Sequence, residues 1–121
     1  MRVSRSFPFE AAHRLEEYEG KCETLHGHTW RIEVTLEAPV GPDGLAFDFV
    51  VLEREVRKHV LAHLDHTYLN DVLPVPSAER VALWAWERLS HLPLAEIRIW
   101  ETPDCVVSYD GSHGSGSKQD G

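Results

Sequence analysis

Alternation of apolar and polar residues predicts two strands near the N-terminus. Residues 2–9 alternate loosely and residues 29–37 alternate cleanly. A period of two is typical of a strand with one buried face. The apolar positions of the second segment are Trp30, Ile32, Val34 and Leu36. The stretch PVGPDG that follows them predicts a turn.

A change of period predicts two helices after this turn. Apolar residues recur at helical spacing over residues 51–64. Ser77 follows Pro76 and can cap a second helix that runs to about Leu89. Two short strands are predicted at residues 96–101 and 105–109. The order ββααββ predicts an α+β fold, an antiparallel sheet with two helices on one face.

Length and composition limit the classes of protein. The chain has 121 residues, which suits one domain at residues 1–110 and a flexible Gly/Ser-rich tail at 111–121. Its net charge of −8 argues against nucleic acid as a partner. No apolar run approaches the ~20 residues that cross a bilayer, so no membrane partner is expected. The N-terminus lacks an apolar secretion signal, and we expect a cytoplasmic protein.

Three histidines have the spacing of a metal site. In an extended chain, residues two apart point to the same side, so His26 and His28 share the apolar face of the second strand. His13 matches the apolar positions of the first strand in the same way. If the two strands pair, three imidazoles meet near one end, and Gly27 leaves space for close approach. Three histidines suit zinc with one open position; the alternative is a set of hydrogen-bonded core histidines.

Other groups that could carry chemistry are less decisive. Cys22 could close the zinc site as a fourth ligand, or serve as a thiolate base. His59 and His63 are spaced i, i+4, but no third ligand is evident in the sequence, and we interpret them as surface or half-buried histidines. Cys105 is interpreted as an ordinary buried thiol.

Two carboxylates stand at positions where chemistry is plausible. Asp65 precedes His66 after the first predicted helix and could orient its imidazole for proton transfer. A histidine that caps a helix C-terminus is the equal alternative. Glu101 matches the apolar positions of its strand, and a buried carboxylate needs a partner, either an arginine or a ligand with paired N–H donors.

Taken together, these residues resemble the 6-pyruvoyl-tetrahydropterin synthase family, in particular its bacterial 6-carboxy-tetrahydropterin synthase branch. The resemblance covers nearly all of residues 2–110. The segments that carry it are Phe9-Glu10-Ala11-Ala12-His13, residues 22–28, Phe47-Asp48-Phe49, residues 64–71, and Trp100-Glu101-Thr102-Pro103.

The resemblance implies a T-fold that assembles through its sheet edges into a barrel, typically a homohexamer with active sites at subunit interfaces. It implies Zn²⁺ as the cofactor. The implied roles are zinc ligation by His13, His26 and His28; catalysis by Cys22, Asp65 and His66; and pterin binding by Glu101, Ser77 and Ala78.

The implied reaction is a lyase reaction on a small pterin triphosphate. 7,8-Dihydroneopterin triphosphate would give 6-carboxy-5,6,7,8-tetrahydropterin, acetaldehyde and triphosphate, on the way to queuosine. Three residues separate Cys22 from His26, as in the bacterial branch, and this favours that product. The alternatives are a 6-pyruvoyl-tetrahydropterin synthase and a non-catalytic zinc- or pterin-binding module. Arg5, Arg14 and Lys21 are candidate triphosphate ligands.

Overall fold

A mixed five-stranded sheet forms the frame of the protein. The computed structural model describes residues 1–14 and 26–112. The strands are Arg2–His13 (β1), His26–Glu37 (β2), Thr67–Tyr68 (β3), Leu94–Thr102 (β4) and Cys105–Tyr109 (β5). Their order across the sheet is β3-β1-β2-β4-β5. The four predicted strands are present and pair antiparallel with one another, but β3 was missed because two residues carry no measurable periodicity.

The parallel pairing of β3 makes the sheet mixed rather than purely antiparallel. Thr67 and Tyr68 pair with Ala11 and Ala12 near the end of β1. The antiparallel pairing of the predicted strands is confirmed, and the parallel pairing is confined to β3, which was not predicted. The pairing holds the segment just after the first helix against the end of β1.

Two helical segments cover one face of the sheet. The first runs through residues 49–64 as Phe49–Val56 (α1), a π-helical turn at Arg57–Leu61 and Ala62–Leu64 (α2). Asp48 caps it by accepting the amide of Val50. The second is Ala78–Arg88 (α3). Ser77 caps α3 as predicted, since its Oγ accepts the amide of Arg80 at 3.1 Å.

The core lies between the helices and the alternating inward residues of the sheet. Trp30, Ile32, Val34 and Leu36 are all fully buried, as the alternation of β2 predicted. Phe7, Phe9, Ala11 and His13 are the buried positions of β1. Among the described residues, no helix has the length and apolar character needed to cross a bilayer.

Candidate functional site

His13 is the C-terminal residue of β1 and is fully buried. Its Nδ1 is 3.0 Å from the carbonyl oxygen of Pro76. A carbonyl oxygen can only accept, so Nδ1 carries the proton and Nε2 is the atom that would coordinate a metal. The turn before α3 therefore fixes both the orientation and the tautomer of this imidazole.

His28 lies beside His13 on the neighbouring strand. The β1–β2 register pairs Ala11 with His28, and the centroids of the His13 and His28 rings are 5.5 Å apart. Trp30 forms the floor of the pair: its ring is stacked on His28 at 5.0 Å and meets His13 edge-on at 4.9 Å. An apolar floor of this kind restricts the imidazoles and limits access of water.

Glu101 completes this cluster from β4. Its Oε2 is 3.2 Å from Nε2 of His13, and 31% of its side chain is exposed. One ligand atom from each of His13, His28 and Glu101 lies within 4.8 Å of the others. Two imidazoles and a carboxylate are a donor set that zinc accepts, and the fixed tautomer of His13 presents the correct nitrogen. The residues present therefore fit a zinc ion.

Neighbouring groups raise the pKa of His13. Burial lowers the pKa of His13, but the hydrogen bonds to Glu101 and to the Pro76 carbonyl, with the charge of Glu101, outweigh it and raise the pKa above its ordinary value. His13 is thus the partner that the partly buried Glu101 carboxylate requires.

Two predicted residues of this region are described in part or not at all. The register pairs the backbone of His26 directly with His13, as expected if the two strands pair. The side chain of His26 lies outside the described part of the chain, and so does Cys22. Gly27 is described, and a Cβ there would be 3.6 Å from that of Ala12, which is ordinary van der Waals contact. Space for close approach is therefore not what requires this glycine.

Asp65 and His66 lie on the far side of β1 from β2. Oδ1 of Asp65 accepts the backbone amide of Glu10 at 2.8 Å and is 3.2 Å from Nδ1 of His66. His66 has a left-handed backbone with φ of 59°. Asp65 thus links the His66 ring to the backbone of β1, and 77% of the His66 side chain is exposed. A shallow cleft across β1 is lined by both His66 and His28.

The beginning of α3 is joined to the same cluster. Pro76 binds His13 through its carbonyl, so Ser77 and the buried Ala78 follow directly from a residue of the site. Val75 precedes them with φ of 49°, an uncommon conformation for a β-branched residue. The Pro76 carbonyl is a positioning group that the sequence reasoning missed, because hydrogen bonds from a distant side chain to a backbone carbonyl leave no sequence pattern.

A cleft of about 530 Å³ opens beside the cluster, between β2 and β4. His28, Trp30, Trp100 and Glu101 are among its lining residues. This volume is in the range of small-molecule sites. Trp30 is fully buried beneath His28, so the half-buried Trp100 is the indole that lines the cleft at its surface.

Two of the candidate triphosphate ligands, Arg5 and Arg14, lie far apart along the direction of β1. Arg5 is eight residues before His13, about 26 Å along β1, and its guanidinium is 2.9 Å from Glu53. Arg14 follows His13 directly, and its backbone is hydrogen-bonded to the side chain of Asn70. Lys21 lies outside the described residues. Within one chain, the position of Arg14 favours it over Arg5.

One prediction outside the site was wrong, and another was incomplete. Cys105 is exposed rather than buried, because β5 is an outer strand of the sheet. His59 is half-buried and His63 is exposed, as predicted, but His59 has further potential ligands nearby, namely Glu55 and His91. His91 is distant in sequence, so spacing on one helix could not reveal it. His63 lies elsewhere and is bound to Arg88 at 2.9 Å.

The chain is similar to known proteins over most of its length. Residues 2–112 match the family model described as 6-pyruvoyl tetrahydropterin synthase. A 6-carboxy-5,6,7,8-tetrahydropterin synthase of Synechocystis is 40% identical over 88% of this chain and 91% of its own length. A dihydroneopterin monophosphate aldolase of Pyrococcus furiosus is 38% identical over 83% of this chain and 89% of its own. The 6-pyruvoyl tetrahydropterin synthase structure of Caenorhabditis elegans superposes with a TM-score of 0.83 at 30% identity, covering 93% of this chain and 96% of that one.

Proposed function

The chain belongs to the 6-pyruvoyl tetrahydropterin synthase family, and from this membership we propose that it is a zinc-dependent lyase acting on 7,8-dihydroneopterin triphosphate. The proposed products are 6-carboxy-5,6,7,8-tetrahydropterin, acetaldehyde and triphosphate, as a step of queuosine biosynthesis in the cytoplasm. The observation that carries the proposal is the cluster of His13, His28 and Glu101 beside a cleft of suitable size.

Zinc would be held by His13 and His28 of this cluster together with His26, and the Glu101 carboxylate would bind the substrate rather than the ion. The β1–β2 register supports this set, because it brings all three positions to the same end of the two strands. Three histidines leave one tetrahedral position for the substrate. The ion would supply Lewis acidity to the oxygens of the substrate side chain.

The remaining residues would bind the pterin and move protons. The Glu101 carboxylate can accept two N–H bonds from the amino-pyrimidinone edge, and charge-assisted bonds of this kind are stronger than neutral ones. Ser77 and the Ala78 backbone would complete the pterin pocket at the beginning of α3. Cys22 would take a proton from the side chain as a thiolate, and His66, oriented by Asp65, would return a proton.

Assembly through sheet edges is part of the proposal. The outer strands are β3 and β5, and outer strands offer backbone groups to another chain. A homohexameric barrel would bring residues of a neighbouring subunit to the cleft, which is open at the surface in one chain. A second copy would then be a partner of the site itself.

The test is the identity of the products. The purified chain is incubated anaerobically with dihydroneopterin triphosphate, and the products are identified by mass spectrometry. The proposal predicts the 6-carboxy pterin with acetaldehyde. Dominant 6-pyruvoyl-tetrahydropterin without acetaldehyde would overturn the product and favour the activity named for the nematode relative. Preference for dihydroneopterin monophosphate would favour the activity named for the Pyrococcus relative.

Matched variants in the same experiment separate the roles of thiol and metal. Cys22→Ala is expected to keep zinc and lose turnover, whereas Cys105→Ala, on the exposed outer strand, keeps both. His28→Ala is expected to lose most of the zinc, because one of three protein ligands is gone. Loss of zinc from Cys22→Ala to the same extent would identify the thiol as a ligand. The site would then be closed, as in a non-catalytic zinc-binding module.

A further inference from the structure

A second cluster of metal-binding side chains lies on the helical layer. It consists of Glu55 in α1, His59 in the π-helical turn and His91 in the connection between α3 and β4. Nε2 of His59 and Nε2 of His91 are 3.2 and 2.8 Å from the same Glu55 oxygen, Oε1. One ligand atom from each residue lies within 4.8 Å of the others.

These distances are close to those in a zinc coordination sphere. Bonds of about 2.0–2.2 Å in a tetrahedron separate two ligand atoms by about 3.4 Å. An ion would require the separation of His91 Nε2 from the Glu55 oxygen to widen by roughly 0.6 Å, and the two imidazole nitrogens already lie within 4.8 Å of each other. His91 can make this adjustment, because its side chain is 46% exposed, whereas Glu55 is 19% exposed and more restricted.

The surroundings keep one of the donors in place. The His59 backbone is held by Arg88, whose Nε donates to the His59 carbonyl at 2.8 Å. Single π-helical turns inside α-helices are frequently found at functional sites.

We propose that Glu55, His59 and His91 form a second divalent-metal site, which binds Zn²⁺ through two imidazoles and one carboxylate with water as the fourth ligand. Two imidazole donors select a transition metal over Mg²⁺ or Ca²⁺, which prefer oxygen ligands. The ion would join α1 to the connection between α3 and β4. This role is distinct from that of the cluster around His13 and does not depend on it.

The test compares metal content between matched histidine variants. Apoprotein of the wild-type chain, His91→Gln and His63→Gln is dialysed to equilibrium against Zn²⁺, and bound zinc is measured by mass spectrometry. His63 is the control, because it lies on the same helical segment and is bound to Arg88 outside the cluster. The expected result is one ion fewer per chain in His91→Gln and no change in His63→Gln.

Two outcomes would overturn the proposal. Equal zinc content in the wild-type chain and His91→Gln would show that the cluster is held by hydrogen bonds alone. An equal loss in His63→Gln would show that binding is not specific to the cluster. The His28→Ala background separates the two sites: zinc retained there should disappear when His91→Gln is added. The difference of one ion is expected even if the first cluster binds no zinc.

Discussion

Replacing Trp30 with Phe would test how firmly the floor of the candidate site is packed. Trp30 is fully buried between Phe9, at a ring distance of 5.8 Å, and His28, at 5.0 Å. Its indole nitrogen donates to the carbonyl of Ala11 at 3.3 Å. Phe keeps an aromatic ring in this layer but removes the fused ring and the donor.

The expected loss of stability follows from three contributions. The smaller ring buries roughly 50 Å² less apolar surface, which is about 1.2 kcal/mol at ~25 cal/mol per Å². A remaining cavity of roughly 40 Å³ costs about 1 kcal/mol more. The lost hydrogen bond is long, so its contribution is near the lower end of the usual range, about 0.5 kcal/mol. We therefore expect Trp30→Phe to lower the free energy of unfolding by about 2–4 kcal/mol.

Urea unfolding followed by far-UV circular dichroism measures this loss. With a slope of about 2 kcal/mol per M, the midpoint should fall by roughly 1–2 M. The matched control is Trp84→Phe, since Trp84 is only half-buried on α3, under the guanidinium of Arg88 at 5.2 Å. It should cost about 1 kcal/mol or less. All variants are compared at one protein concentration, because assembly would contribute to stability.

The same variant connects packing with metal binding. Because the indole restricts the His28 ring, its loss should weaken zinc affinity about 10-fold or more, as changes around metal ligands generally do. A loss of stability equal to that of Trp84→Phe would refute the argument that this floor is closely packed. Wild-type zinc affinity would refute the argument that it positions His28.

Two further predictions separate backbone effects from side-chain effects. His66→Asn should fold with wild-type stability to within about 0.5 kcal/mol, since Asn adopts the left-handed conformation of His66 readily. Its turnover should fall about 100-fold or more if the imidazole transfers a proton, and wild-type turnover would remove His66 from that role. Gly111→Ala should cost about 2 kcal/mol, against about 1 for Gly44→Ala. Both glycines have positive φ, but an added Cβ at Gly111 would be 2.5 Å from Trp86, whereas no described atom lies within 4 Å of one at Gly44. Equal losses by urea unfolding would contradict the Trp86 contact.

The alternation of β2 and the helical spacing of residues 51–64 were sufficient to predict the main elements. Period determines which residues share a face, and burial of one face follows from the hydrophobic effect. Ser77 was also predictable as a cap, because a helix start needs a local acceptor. The same alternation places His13 and His28 on the buried face of their strands, so the two side chains come together once β1 and β2 pair.

Contacts between distant segments were decided only by the tertiary structure. β3 has two residues and is held by its parallel pairing with β1, which no local pattern encodes. The Pro76 carbonyl that fixes His13 is 63 residues away in sequence, and His91 is 36 residues from Glu55. Local periodicity carries no information about which chain segments meet, because packing chooses among many arrangements with the same pattern. The sequence therefore determined the elements and the faces of the ligands, and the fold determined which ligands share a site.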